Sequence, residues 1–171
     1  GDSREFNEVD LALAYVRTVG LLDLEAGWIE YLFPNTPWIR TREVYLCAGV
    51  SKWPVAPSLT LYYDLDEVDS CYAVAALEYS HELSDALALE LSASLGYGAG
   101  DYNDYYFGDG DGALNDATLG VALVWAASDA LSLKASCAYT VLPDSGIRRA
   151  TDNAYFDDHA LVAGLTATYA F

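Results

Sequence analysis

Ala86-Leu87-Ala88-Leu89-Glu90-Leu91-Ser92-Ala93-Ser94-Leu95-Gly96-Tyr97 decides how this chain folds. Leu87, Leu89, Leu91, Ala93, Leu95 and Tyr97 share one parity, and Ala88, Glu90, Ser92, Ser94 and Gly96 the other. Successive side chains of a strand point to opposite faces, so this spacing gives one apolar and one polar face. A helix would scatter the same leucines around its circumference. The pattern recurs in 118–125, with Leu119, Val121, Leu123 and Trp125 on the apolar parity, and in 131–141, with Leu133, Ala135, Cys137 and Tyr139. It closes the chain in Leu161, Ala163, Leu165, Ala167, Tyr169 and Phe171. Less regular versions fill 9–17, 22–32, 43–52, 59–64 and 71–81. The result is an all-β chain of about nine strands, many close to the length of tilted strands that cross a bilayer.

The connections alternate in length. Segments 143–158, 98–116 and 33–42 are long, and 65–70 is moderate. Between them lie the tight 127–129, 82–85 and 19–21 and a Pro-containing turn at 53–58. An up-and-down transmembrane barrel has this asymmetry, with short turns at one rim and longer loops at the other. It also sorts the aromatics. Tyr15, Trp53, Tyr79, Trp125, Tyr169 and Phe171 fall toward the short-turn rim; Trp28, Tyr31, Phe33, Tyr63, Tyr97 and Tyr139 fall toward the long-loop rim. Two belts at the membrane interfaces are the expectation.

Composition narrows the function. With 8 Lys+Arg against 26 Asp+Glu the net charge is −18, which removes the clustered cations that nucleic-acid binding requires. Hydrophobic residues at 53% are too many for a disordered acidic tail. No uncharged apolar run reaches the ~18 residues of a spanning helix, and no basic segment leads into an apolar signal core. The length fits one domain, 1–171. Cys47, Cys71 and Cys137 match no zinc or redox spacing and read as small strand residues. Met is absent throughout, even at position 1, which points to a chain that has been processed or does not begin at its natural start. Bacterial barrels have even strand numbers and both ends on the periplasmic side, so nine strands imply at least one missing upstream strand, from a longer protein or from another segment that supplies it.

The terminal Tyr169-Ala170-Phe171 resembles the C-terminal signature of bacterial outer-membrane barrels. More narrowly, Gly27 to Pro34 (GWIEYLFP), Arg42-Glu43-Val44, Leu61-Tyr62-Tyr63-Asp64 with Tyr72, Tyr79-Ser80-His81 and Leu95-Gly96 resemble the motif order of the TorF-type porin family. The resemblance implies an outer-membrane location in a Gram-negative bacterium, contact with outer-membrane lipids, and recognition of the C-terminal strand by the barrel-assembly machinery. It also implies further strands upstream.

If the apolar faces meet lipid, the opposite faces look into a lumen. They bring Asp10, Asp23, Glu25, Glu43, Asp64, Glu78 and Glu90, with Lys134 as the one clear cation. Carboxylate rings select by charge, so the expected activity is passive diffusion of small solutes with a cation preference. The alternative is a structural or interaction barrel whose outer loops dock onto envelope proteins or copies of itself. A soluble lipocalin-like barrel is a third class, with its leucines inside. The direction of Leu89, Leu123, Leu133 and Leu165 separates it from the other two.

No catalytic site is expected. Ser80 and His81 are adjacent on a strand and point apart, and His159 beside Asp157 and Asp158 reads as a solvated histidine. The loop Gly100 to Gly112 is rich in acids, glycines and tyrosines but breaks the EF-hand spacing, so it reads as a flexible outer loop with no metal or cofactor. Arg148 and Arg149 read as surface residues or partners of lipid phosphates.

Overall fold

The structure is a computed structural model that describes residues 6–153 and 157–171. Its strands are β1 (Val9–Val19), β2 (Leu22–Leu32), β3 (Thr41–Gly49), β4 (Val55–Asp64), β5 (Cys71–Ser84), β6 (Leu87–Gly98), β7 (Ala113–Ala126), β8 (Leu131–Val141) and β9 (His159–Tyr169). Helix α1 (Gly100–Phe107) follows β6 and α2 (Ser145–Asn153) follows β8. The nine strands form one antiparallel sheet in which each strand pairs with its sequence neighbours. The sheet is not closed: among the described residues β1 and β9 each pair on one side only.

Register assigns every side chain to a face, because directly opposed residues of an antiparallel pair point the same way. Leu89, Leu123, Ala135 and Leu165 lie opposite one another across β6 to β9, and Trp125, Leu133 and Ala167 form the adjoining row. Of the four diagnostic leucines on this face, Leu123 is 45% and Leu165 89% exposed, while Leu89 and Leu133 are half-buried. Followed from β1 to β9, its charged or ionisable strand residues are Arg17, Glu30, Arg42, His81 and His159, all near strand ends. Between them lies an uncharged band of Leu, Val, Ala, Cys, Pro and aromatic residues.

The opposite face carries the acids and is concave, with two cavities opening on it. Leucines and carboxylates lie on opposite faces of the sheet, and the cavities open on the carboxylate face, not on the leucine face as a lipocalin-like arrangement requires. Packed apolar core is scarce. The most buried hydrophobic side chains are Ile147 in α2, Val68 in the β4–β5 loop and Ala122 on the acid face.

Three sequence expectations shift. β4 begins at Val55 and carries Pro57, which the alternation placed in a turn. Pro57 tolerates the strand because its carbonyl faces the end of β3, accepting from Val50 N at 3.0 Å; its nitrogen faces the same way, past the last β3–β4 pair at Gly49 and Ser58. β7 starts at Ala113 because of a register shift opposite Gly96 and Tyr97: Asp116 pairs with Gly96 and Leu114 with Tyr97, leaving Asn115 as the extra residue. Third, the two longest connections contain helices.

Candidate functional site

The polar face is organised around a lateral row of tyrosines. Gly27, Tyr45, Tyr62, Tyr72 and Gly98 are opposed in succession across β2 to β6. Ring centroids of Tyr45 and Tyr62 are 5.6 Å apart, and those of Tyr62 and Tyr72 are 6.2 Å apart. The glycines make room for this row. A Cβ on Gly27 would collide with the Tyr45 ring, and one on Gly96 with the hydroxyl of Tyr72 and the carboxylate of Asp116. Such close approach is what glycine in a strand provides.

Each phenol at the edge of this row donates to a carboxylate: Tyr31 to Glu43 at 2.9 Å, Tyr45 to Glu25, and Tyr72 to Asp116. Asp64, only 2% exposed, accepts from the Thr41 hydroxyl at 2.6 Å and from the backbone N–H groups of Asp66 and Val68 at 2.9 and 3.0 Å. Hydroxyls and amides therefore hold these carboxylates in place of cations. Among the described residues, Lys134 is the only Lys or Arg on this face of the strands, and it pairs with Glu90 at 2.6 Å.

Two loops lean over the long-loop end. Tyr102 of α1 stacks on Tyr72 with centroids 5.1 Å apart and planes 11° apart, and Tyr106 packs on Tyr102 at 4.6 Å. Burial pushes the Tyr106 phenol up to about 12, with the nearby Glu43 adding to it, and burial raises Tyr102 as well. Asn103 anchors the helix. Fully buried, it donates to the carbonyls of Gly98 at 3.1 Å and Asp111 at 2.9 Å and accepts from Asn115 at 3.2 Å. Gly108, at φ +76°, ends α1 in the left-handed conformation glycine adopts freely.

Asp144 caps the second helix from the residue before it, and the N–H groups of Ile147 and Gly146 hold its carboxyl below the usual range. It meets the α1 loop where a Cβ on Gly146 would strike the Asp109 carboxylate. At the start of β3, Arg42 grips Asp66 of the β4–β5 loop through two bonds of 2.7 Å, which keeps the Asp66 carboxyl low.

The tyrosines, Glu43 and α1 enclose a cavity of about 580 Å³ at the long-loop end. A second, of about 680 Å³, lies toward the short turns among Glu78, Ser80, Glu90, Ser92, Lys134 and Ser136.

Asp10, Asp23, Glu25, Glu43, Asp64, Glu78, Glu90 and Lys134 all fall on the acid face. They do not converge on one centre: Glu43 and Asp64 are directly opposed near the long loops, whereas Glu78, Glu90 and Lys134 line the other cavity. Of the expected belt, Tyr15, Trp28, Tyr63, Tyr79, Tyr97, Trp125, Tyr139 and Tyr169 lie on the apolar face, and the exposed Phe171 follows β9. Tyr31 and Phe33 do not belong to it. Tyr31 shares the parity of Glu25 and bonds Glu43, and Phe33 lines the first cavity against Trp38. Trp53, in the β3–β4 turn, lines the second cavity.

Arg148 is not a free surface cation, since it donates to the carbonyls of Leu142 and Pro143. The expected flexible loop 100–112 is helical over Gly100–Phe107 and fastened by Asn103. Ser80 and His81 point to opposite faces, opposed to Glu90 and Leu89. His159 bonds Asp158 at 2.8 Å. Among the described residues, no group of three or more His, Cys, Asp or Glu is placed to hold a metal ion.

Sequence reading missed Asp116, Asn103, Asn115 and the inward tyrosines. The tyrosines had a signal, since Tyr45 shares the parity of Glu43 and Tyr62 that of Asp64. Asp116 had none, because the bulge at Asn115 breaks the alternation that would have placed it.

Fold and site together define an up-and-down antiparallel β-sheet with one face apolar through its middle and a tyrosine–carboxylate face opposite. No protein-family model matches the chain, and a search of curated proteins finds no match.

Proposed function

We propose that the sheet is the greater part of an outer-membrane β-barrel, completed by further strands to about ten to twelve, through which small solutes pass with a preference for cations. The observation that carries this reading is sidedness. A face whose middle bears only apolar and aromatic residues is exposed, while the carboxylates line the concave side. In water such an exposed apolar face promotes aggregation; against lipid it is the stable arrangement. The turns 20–21, 50–54, 85–86 and 127–130 at one rim and the longer 33–40, 65–70, 99–112 and 142–158 at the other match the asymmetry of such barrels. The barrel-assembly machinery would read the exposed strand β9, and outer-membrane lipids would cover the belt.

Planar bilayers under a KCl gradient test the activity. The reversal potential should report K⁺ over Cl⁻, and Lys134→Glu should raise that ratio by at least about twofold, since it removes the cation facing Glu90. A chloride-preferring channel contradicts the proposal.

Absence of conductance would hand the chain to a second reading, a barrel that docks onto envelope proteins or copies of itself. The packing of α1 over the tyrosine row favours that reading, because it narrows the long-loop end.

A further inference from the structure

The cavity at the long-loop end has a chemistry of its own. Tyr31, Tyr62, Tyr72, Tyr102 and Tyr106 contribute aromatic rings to its wall, and Trp38 and Phe33 add an edge-on pair with centroids 5.5 Å apart. Its charged lining is Glu8 and Glu43, with no Lys, Arg or His. Glu43 lies directly opposite Asp64, which is itself held by hydroxyl and amide donors, so two adjacent carboxylates stand with no basic partner among the described residues. Tyr31 and Tyr72 spend their O–H donors on carboxylates, which leaves their rings, more than their hydroxyls, for a guest.

A neutral sugar would leave the charge of Glu8 and Glu43 unanswered, and an anion would meet only negative charge. A small inorganic cation would leave most of the aromatic wall unused. An alkylammonium ion satisfies both parts, because aromatic faces attract a weakly hydrated cation and a carboxylate fixes its charge. The volume of about 580 Å³ lies within the range of ordinary small-molecule sites.

We infer that the tyrosine-lined cavity between the α1 helix and β2 to β5 binds an organic cation with a methylated or alkylated ammonium head. The site uses the acid face of the proposed barrel but does not need an open pore.

The test titrates choline chloride, and separately its uncharged isostere 3,3-dimethylbutan-1-ol, into the full chain in maltoside micelles, followed by calorimetry and by tyrosine and tryptophan fluorescence. Choline should bind saturably, about tenfold more tightly than the isostere, because loss of the charge removes both the cation–π and the carboxylate attraction. Glu43→Gln keeps the shape and an acceptor for Tyr31 and should weaken choline about tenfold. Tyr106→Leu, which takes one ring from the α1 side of the cavity wall, should weaken it without disturbing the strands. Equal affinity for the isostere overturns the inference, as does unsaturable choline binding, or full affinity in both variants. Saturable choline binding in a protein that carries no current would keep this site and remove only the diffusion reading.

Discussion

Leu123→Arg should lower the stability of the bilayer-inserted protein by roughly 2–4 kcal/mol, the cost of a cation near the midplane on a lipid-facing position. Leu123 lies toward the short-turn end of β7 but level with the middle of β8 and β9, opposed to Leu89 on one side and Ala135 on the other, with Leu165 beyond. No carboxylate of the apolar face lies near enough to compensate: Glu30, like Arg17 and Arg42, is confined to a strand end, and His81, in the same row beyond Leu89, offers an added cation no negative charge. Ser136→Arg is the control. Ser136 is on the acid face, in the lateral row that contains Glu90 and Ala122 and beside the Lys134–Glu90 pair, where an added side chain faces the proposed lumen and not lipid. Urea titration in phospholipid vesicles should show a large loss for the first and a change within about 0.5 kcal/mol for the second. Equal, small effects would mean that Leu123 faces water.

Asn103→Ala should release α1 from the sheet. The asparagine side chain is fully buried and makes three hydrogen bonds that join β6, the loop after α1 and β7. Its removal leaves the carbonyls of Gly98 and Asp111 and the amide of Asn115 without that partner. At 1–3 kcal/mol for each buried group left unsatisfied, partly relieved by water, a local loss of about 3 kcal/mol is expected. Amide exchange should accelerate across Asn103 to Gly108 and stay slow in the middle of β6 and β7. Single-channel conductance should rise as Tyr102 leaves Tyr72. Tyr105→Ala, on the exposed side of the same helix, should do neither. If Asn103→Ala speeds exchange throughout the sheet, α1 is part of the cooperative core and not a cover.

What could be read from sequence was whatever alternation governs. β6, β8 and the long middle of β9 were legible because one face is apolar from end to end, and eight charged positions could be placed on the other face by parity alone. Where a local device breaks the period, the reading fails. Pro57 looked like a turn because composition does not reveal which side a carbonyl faces. The bulge at Asn115 hid Asp116, and with it the partner of Tyr72. Tyr31 was assigned by its position along the strand, toward a rim, when its parity put it beside Glu25 and Ile29. Helix α1 is rich in Gly, Asp, Asn and Tyr, which are weak helix formers, so its stability lies in the burial of Asn103 and the stacking of Tyr102. Contacts of that kind leave no periodic trace.

The three native cysteines supply the most direct test. Cys71 and Cys137 have the parity of the apolar face and Cys47 that of the acid face; all three are free and partly exposed. Nitroxide labels are placed on one cysteine at a time in the full chain reconstituted into vesicles, the other two being replaced by alanine. Their collision rates with oxygen, which concentrates in lipid, and with a water-soluble nickel chelate report the surroundings of each. Labels on Cys71 and Cys137 should favour oxygen, and the label on Cys47 should favour the chelate. A label on Cys137 that the chelate reaches as freely as it reaches Cys47 would contradict a lipid-facing exterior, and the barrel proposal with it.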